Sequence, residues 1–460
     1  MRTHARVRTP HAHRPTLPAP LLGMSKRRKL GPQPHSRLLA ALAELGGGVT
    51  DAVAVRAAGS RGAGLFATRD VEAGELLWRV PAAAALTVQV ALASPVGVAL
   101  QASFPVSGSL GDGSGSVTPR SALYLLLVHL RSCSSPLETV PAAHAAYVQS
   151  LPSAVDSPLL WADCTPEALA GLAGTELPRS AAAMRSALRA QYTLLFPALT
   201  AQHPALFPAS SFSWDAFLWA HLVYASRCFS LSYLDSSTPS EDEAEGVLLP
   251  LQDLANHGLA GADVRWDSAT CAAFAARPIA RDAEVLSCYG AKSTASFALH
   301  FGFAPWDCGS DAITLRLASV FPDSDPPALR QTKQRLFSAL AGGHTAACRL
   351  AAGEPLPGLA LALARCCVLG TREAKVASAA SLAAGAVTPI VEAAARLHLL
   401  ALLQRRSEAV LQGATPEAFV AQVAAARQAE AVACSRAALC LAYRDAEFRL
   451  LRAHCRALKD

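Results

Sequence analysis

The sequence predicts an α+β protein in which a β framework is interrupted by a helical insert and followed by an all-α domain. The chain has 460 residues, of which 52% are hydrophobic and only 17% charged, enough for two or three domains with buried cores. Short apolar segments bounded by polar turns occur near residues 64–80 and 271–288, which is typical of strands. Between and after them, apolar residues recur at helical spacing.

The first 48 residues are predicted to form a basic, disordered tail. Residues 1–40 contain nine basic side chains and no acidic one, and residues 1–36 lack apolar periodicity. The cluster Lys26-Arg27-Arg28-Lys29 is typical of a nuclear-localisation signal, although a solvated basic stretch explains it equally well. We therefore expect the protein in the cytoplasm or the nucleus. A plastid transit peptide is a third interpretation of this Arg-rich tail.

A β framework with a helical insert is expected over residues 49–318. Two β-hairpins are predicted, the first from Gly64–Thr68 with Leu76–Val80 and the second from Cys271–Ala276 with Glu284–Cys288. The insert spans about residues 95–225, and helical patterns within it cover Ala122–Leu130, Thr165–Leu172, Ala181–Leu195 and Trp214–Tyr224. Gly/Ser-rich and acidic loops are predicted at Val106–Ser121 and Asp235–Gly246.

Residues 319–460 are predicted to form a separate all-helical domain, because strand patterns vanish after about Ser319. Apolar residues in Pro389–Gln412 recur at helical spacing. Thr415-Pro416-Glu417 is typical of a helix start, and the helix that it begins is expected to run towards Leu458.

Charge, hydropathy and cysteine usage exclude several classes of protein. The net charge of +6 comes from the basic tail, so the folded body has no overall basic surface for nucleic acid. No uncharged apolar run approaches the ~20 residues that a membrane span requires. The twelve cysteines form no CxxC pair, so we expect free thiols and no metal site.

Four segments carry the functional prediction when they are considered together. They are Arg61–Ala67 (RGAGLFA), Ser226–Phe229 (SRCF), Leu249–His257 (LPLQDLANH), and Cys288-Tyr289-Gly290 followed by Phe301-Gly302-Phe303. In this order the set resembles SET-domain protein methyltransferases of the branch that includes the Rubisco large-subunit lysine methyltransferase. That branch has a helical insert within its SET domain and a helical substrate-binding domain behind it, and the predicted layout agrees with both.

The resemblance implies S-adenosyl-L-methionine as cofactor and a lysine ε-amine of a protein substrate as methyl acceptor. We further expect a monomer that does not associate with membranes. The matching cofactor positions are Arg61, Gly62, Ala63, Gly64, Arg227, Asn256, His257 and Phe303. The matching substrate-pocket positions are Arg227, Asp253, Tyr289 and Phe301. Tyr289 matches the catalytic tyrosine, whose hydroxyl orients the amine. This chemistry needs alignment and a dry channel that lowers the pKa of the amine.

The sequence departs from the family pattern at three places. Phe301 stands where the family usually has a tyrosine, Gly258 where a serine usually follows Asn-His, and Ser293-Thr294 where Ser-Asn is usual. The missing hydroxyl at Phe301 bears on target preference and on the number of methyl groups transferred.

Three alternatives stay open at the level of the sequence. The same fold methylates a protein histidine in one member of this branch. A non-catalytic interaction protein would retain a degenerate SET domain and bind no cofactor. A hydrolase would pair Cys288 as nucleophile with His257 as base, although Cys288 lies in an apolar strand pattern that favours an inert thiol.

Overall fold

The computed structural model describes residues 34–104, 117–132, 137, 140–161, 169–234, 246–259 and 261–459. The basic cluster at 26–29, the acidic loop at 235–245, most of the predicted loop at 106–121 and the start of the predicted helix at 165–172 lie outside these residues. Within the described residues, no helix combines the length and apolar character that a membrane crossing needs.

In the described ranges the strands form four small antiparallel sheets with the orders β1-β4-β9-β8, β10-β3-β2, β5-β7-β6 and β11-β12. Their bounds are β1 (Gly48–Val49), β2 (Val53–Ala57), β3 (Ala63–Ala67), β4 (Leu76–Arg79), β5 (Leu86–Thr87), β6 (Cys228–Ser230), β7 (Gly246–Leu248), β8 (Val264–Asp267), β9 (Ala272–Ala275), β10 (Glu284–Val285), β11 (Ala312–Ala318) and β12 (Thr345–Ala351).

Helices precede the sheets, fill the interval between β5 and β6, and dominate the C-terminal part of the chain. Their bounds are α1 (Pro34–Glu44), α2 (Val88–Ala93), α3 (Pro95–Ser103), α4 (Arg120–Ser132), α5 (Ala142–Ser150), α6 (Pro158–Trp161), α7 (Leu177–Gln202), α8 (Trp214–Arg227), α9 (Thr294–Ser296), α10 (Pro327–Ala341), α11 (Gly358–Val368), α12 (Thr371–Ala374), α13 (Ala379–Ala384), α14 (Pro389–Leu411), α15 (Pro416–Ala429) and α16 (Arg436–Lys459). The predicted α+β class is confirmed. The domain boundaries themselves stay a prediction.

The two predicted hairpins are wrong in their pairing, although the strands themselves exist. β3 pairs with β2 and β10, whereas β4 pairs with β1 and β9. The polar turn after β3 closes onto a distant segment, because the Gly74 N–H donates to the Ala275 carbonyl and Val71 pairs with Ile279. β3 and β4 thus each have one partner nearby in sequence and a second one about 200 residues away, and local spacing does not reveal the distant partner.

The predicted disordered tail extends too far, because residues 34–44 form α1 and residues 48–49 form β1. Leu38 and Leu42 lie four residues apart on one face of α1 and are fully buried in the main hydrophobic core. α1 packs against α5, and this contact covers the apolar face that would otherwise leave the helix unstable.

The C-terminal part differs from the all-helical prediction at two points. β12 pairs along its whole length with β11, and the resulting hairpin spans the predicted boundary at residue 318. The predicted single helix from Thr415 towards Leu458 is two helices, α15 and α16. The Glu430 carboxylate accepts the N–H groups of Cys434 and Ser435, and this stabilises the break between them.

A buried ion network joins the helical insert to the C-terminal part. The Glu447 side chain on α16 is fully buried; it accepts a 2.6 Å hydrogen bond from the Arg406 guanidinium and one of 3.2 Å from the Glu176 N–H. Glu176, which precedes α7, also pairs with Arg316 on β11 at 2.9 Å. Burial raises the pKa of the Glu447 carboxyl, whereas the Arg406 guanidinium and the Glu176 N–H act in the opposite direction and favour its charged form.

We predict that Glu447→Ala destabilises the protein by about 3–5 kcal/mol, because it leaves the half-buried Arg406 without its buried partner. The measurement is urea unfolding. Glu408→Ala, an exposed carboxylate on the same helix as Arg406, is the matched control and should stay within about 0.5 kcal/mol of the wild type. Equal unfolding midpoints for the two variants would show that the network contributes nothing.

Candidate functional site

The site is built where two chain segments pair over a single residue. His257 and Ser287 form a parallel bridge: the Ser287 N–H donates to the Asn256 carbonyl and the Gly258 N–H to the Ser287 carbonyl, each at 2.8 Å. Two residues after Ser287, the Tyr289 N–H donates to His257 Nδ1 at 3.2 Å. The Asn-His pair and the tyrosine are thereby held side by side.

The Asn256 amide ties this bridge to β3 and β10. Its Nδ2 donates to the Ala63 carbonyl at 3.2 Å and to Glu284 Oε1 at 2.7 Å, and Glu284 also pairs with Arg61. Gly64 makes the approach possible, because a Cβ there would lie 2.7 Å from Glu284 Oε1 and 3.0 Å from Asn256 Nδ2. Glu284 is a site residue that the sequence interpretation missed, since one glutamate in a strand pattern carries no distinguishing signal.

A buried ion pair forms the next part of the site. Asp253 Oδ2 accepts hydrogen bonds from Arg227 at 2.8 Å and from the Tyr147 hydroxyl at 2.9 Å. Only 1% of the Asp253 side chain is exposed. Among the described residues, Asp253 Oδ1 and Arg227 Nε are buried without a hydrogen-bond partner. Two unsatisfied polar atoms in one place are costly, and a bound polar group would satisfy them.

Aromatic rings complete the walls. Tyr289 stacks on Phe301 with ring centroids 5.1 Å apart, and His257 lies 5.2 Å from Tyr289 and 6.2 Å from Phe303. Burial raises the pKa of Tyr289 to about 12, so its hydroxyl keeps its proton at neutral pH. Burial also lowers the pKa of His257, which favours the neutral ring that accepts the Tyr289 N–H.

These parts surround two cavities that share one wall. The larger, of about 440 Å³, is lined by every predicted site residue except Gly64, namely Arg61, Gly62, Ala63, Arg227, Asp253, Asn256, His257, Tyr289, Phe301 and Phe303. Gly64 lies behind the wall. The smaller cavity, of about 290 Å³, shares Ser226, Arg227, Asp253, Tyr289 and Phe301 with the larger one. The roles assigned to the individual residues stay predictions.

Several lining residues of the larger cavity come from segments that the sequence interpretation did not connect with the site. His35 reaches it from α1, within the predicted tail. Val432 and Cys434 reach it from the break between α15 and α16, where Ala433 pairs with Ala304. The apolar spacing in residues 38–42 could have identified α1, but no sequence pattern marks the break.

The alternative cysteine nucleophile finds no support in this geometry. Cys288 lines the smaller cavity and His257 the larger one, and His257 Nδ1 is occupied by the Tyr289 N–H. In the part of the chain that the structure describes, no group of three or more His, Cys, Asp or Glu side chains is placed to hold a metal ion.

Solved structures share this architecture. The chain superposes over 94% of its length on 92% of the SET domain of LSMT bound to lysine and AdoHcy, with a TM-score of 0.68 and 20% sequence identity. Rubisco LSMT bound to sinefungin and monomethyllysine gives a TM-score of 0.62 at the same identity. The chain has the SET-domain fold. The resemblance to the Rubisco LSMT branch is thus confirmed at the level of the fold.

Curated relatives match a shorter part of this SET-domain chain, and no protein-family model matches it. The actin-histidine N-methyltransferase of Danio rerio is 25% identical over 260 residues, which is 56% of this chain and 40% of that protein. The ribosomal lysine N-methyltransferase set10 of Schizosaccharomyces pombe is 32% identical over 120 residues, 24% of this chain and 20% of that protein. The matched segment thus spans less than half of each of these relatives.

The SET-domain geometry explains one departure from the family pattern. At Gly258, a Cβ would lie 2.5 Å from the Gly261 carbonyl oxygen and 3.0 Å from Leu286 Cβ. The chain turns back so tightly after His257 that the usual serine has no space. Glycine here is a requirement of the local backbone, and it carries no information about the chemistry of the site.

We predict that Gly258→Ser, which restores the family's usual residue, destabilises the protein by roughly 1–3 kcal/mol through overpacking. Urea unfolding measures the change. Gly343→Ser is the matched control, because a Cβ at Gly343 meets no atom within 4 Å. A Gly258→Ser protein as stable as the control would contradict this account of the turn.

Proposed function

We propose that the protein is an S-adenosylmethionine-dependent protein methyltransferase whose acceptor is the ε-amine of a lysine. The observation that carries the proposal is the pair of cavities that meet at Arg227, Asp253, Tyr289 and Phe301. Methyl transfer requires a donor and an acceptor that approach one point from opposite sides. Two cavities that share one wall supply that arrangement, and the SET-domain fold supports it.

The larger cavity fits the cofactor. Its volume of about 440 Å³ lies within the range of small-molecule sites. The backbone of Arg61–Gly64 and the side chains of Asn256, His257 and Phe303 would hold the cofactor, with the buried polar atoms of Arg227 and Asp253 nearby. When bound, S-adenosylmethionine supplies a methyl group that its sulfonium has already activated for attack by a neutral nitrogen.

The residues of the shared wall have three tasks. The Tyr289 hydroxyl, protonated at neutral pH, accepts a hydrogen bond from the acceptor nitrogen and orients its lone pair. The rings of Phe301 and Phe303 exclude water and thereby lower the pKa of a bound amine. The charges of Arg227 and Asp253 offset each other, so the wall is nearly neutral and neither charge alone determines whether the acceptor nitrogen is protonated.

A histidine acceptor is the second candidate, and one observation favours it. The relatives matched over 56% of this chain are actin-histidine N-methyltransferases, whereas the lysine-specific relative is matched over 24%. The lysine proposal is supported by the fold neighbours, whose structures hold lysine or monomethyllysine. The deciding experiment is methyl-labelled transfer into a proteome extract, followed by mass spectrometry of the modified residue. Labelled lysine supports the proposal, and labelled histidine replaces it.

We predict that the purified protein binds S-adenosylmethionine in the presence of a chelator, and that Asn256→Ala weakens binding about tenfold or more. The Asn256 amide holds the Ala63 carbonyl and Glu284, so its loss loosens the wall of the cavity and leaves buried groups unpaired. Isothermal titration calorimetry measures both affinities.

Gln101→Ala is the control, because this amide also bonds backbone carbonyls but lies in α3, away from both cavities. If the wild type does not bind S-adenosylmethionine, the proposed function is wrong. If the wild type and Asn256→Ala bind it with equal affinity, the assignment of the cofactor to this cavity is wrong.

We predict that Tyr289→Phe slows methyl transfer roughly a hundred- to a thousandfold, the usual cost of one oriented polar contact in a transition state. The ring stays, so stacking on Phe301 and cofactor affinity should be kept. Since burial raises the pKa of Tyr289 to about 12, the loss should be uniform from pH 7 to pH 10. Single-turnover rates measure it.

Tyr192→Phe, in the helical insert, is the control for a lost phenol hydroxyl. A Tyr289→Phe protein with the wild-type rate would disprove the catalytic assignment.

A further inference from the structure

A third cavity lies in the C-terminal part, outside the site described above. It is a groove of about 520 Å³ between α15 and α16. Val423 and Phe448 form its apolar floor and are each no more than 5% exposed, whereas Val420 at the rim is 50% exposed. We call it the α15–α16 groove. An apolar floor with an exposed apolar rim favours contact with an apolar side chain of another molecule.

Four arginines and two aspartates line the α15–α16 groove, and the arginines are not equivalent. Arg427 and Arg449 are neutralised by Asp307 and Asp445, at distances from 2.9 to 3.4 Å. Arg452 and Arg456 are exposed, one helical turn apart on α16. Within the described residues neither forms an ion pair with a carboxylate, and the Arg452 guanidinium lies 5.5 Å from the Phe448 ring centroid. The groove therefore carries two unneutralised positive charges.

The distribution of charge along the chain also favours an acidic partner for the C-terminal part. Residues 319–460 contain 17 basic and 11 acidic side chains, whereas residues 41–318 contain 15 basic and 24 acidic ones. An acidic segment of a partner is therefore repelled by the part that carries the two site cavities and attracted to the C-terminal part. This asymmetry favours the C-terminal part over residues 41–318, and within the C-terminal part the α15–α16 groove combines two unneutralised arginines with an apolar floor.

Short chain segments connect the α15–α16 groove to the site. α15 ends at Ala429 and α16 begins at Arg436, and Val432 and Cys434 between them line the larger site cavity. Asp307, which holds Arg427 and Arg449, follows Phe303 by four residues. The end of the groove at Asp307 and Arg427 is therefore joined to the site by short chain segments, whereas Arg456 lies twenty residues along α16 from its start.

We propose that the α15–α16 groove binds an acidic, partly apolar segment of the protein substrate, remote from the residue that is methylated. Carboxylates of that segment pair with Arg452 and Arg456, whose planar guanidinium groups suit bidentate contacts. An apolar side chain covers Val420 and the floor of Val423 and Phe448. The part concerning the substrate rests on the proposed methyltransferase function.

The test uses the full chain and a fluorescein-labelled 12-residue peptide of alternating glutamate and leucine. Fluorescence anisotropy should show binding that weakens with added salt and weakens about tenfold or more in the Arg452→Glu/Arg456→Glu protein. Arg335→Glu/Arg405→Glu, two exposed arginines outside the groove, is the charge-matched control and should bind as the wild type does. Arg452→Gln/Arg456→Gln removes the charges more gently and serves if the glutamate pair unfolds.

Several outcomes would overturn the proposal. They are equal peptide affinity in the groove variant and the control, equal binding of a glutamine-leucine peptide, tighter binding of phosphatidylserine vesicles or duplex RNA, and a dimer that the groove variant abolishes. A final arm tests the link to the substrate. Excess glutamate-leucine peptide should suppress methyl incorporation into an extract, and undiminished incorporation would remove that link.

Calorimetry with S-adenosylmethionine separates the two proposals. The groove variant should keep the wild-type affinity for the cofactor. If the wild type binds the peptide but no cofactor, the methyltransferase function fails and the acidic-peptide site stands.

Discussion

One short pairing, the bridge between His257 and Ser287, holds the site together. It aligns the segment that contains Asn256 and His257 with the strand end, thirty residues later in the chain, that carries Tyr289. The Asn256 amide then extends the alignment to β3 and Glu284. Because each of these polar groups is engaged by another part of the same site, loss of one contact displaces several elements together. The site is thus pre-organised by backbone pairing, and the functional side chains follow from it.

The sequence located the strands of the framework but not their partners. The segments near 63–67 and 76–79 are strands as expected, yet β3 pairs with β10 and β4 with β9. Hydrophobic alternation reports burial of a strand face and contains no information on which edge it joins. In the same way, β12 alternates between buried and exposed residues, but Thr345 is the only β-branched residue in its alanine-rich sequence, so composition does not distinguish it from a helix.

The candidate site was predictable to the extent that it lies in contiguous motifs. The motif residues surround one cavity, with Gly64 directly behind its wall. The rest required tertiary structure: Glu284 is defined only by its contact with Asn256, and Val432 only by the break that Glu430 stabilises. The sequence analysis did not assign His35 to the site for a different reason. The basic, proline-rich character of the preceding residues masked the apolar spacing of Leu38 and Leu42.

The two candidate acceptors place different demands on the shared wall. A lysine amine, with an ordinary pKa of about 10.4, must lose its proton before transfer, whereas an imidazole with a pKa of about 6.5 is already mostly neutral at pH 7. A lone buried carboxylate at Asp253 would stabilise the ammonium form and oppose lysine methylation. Arg227, 2.8 Å away, offsets that charge. With the pair intact, desolvation by Phe301 and Phe303 is left to favour the neutral amine, so the Arg227–Asp253 pair is what makes a lysine acceptor physically compatible with this cavity.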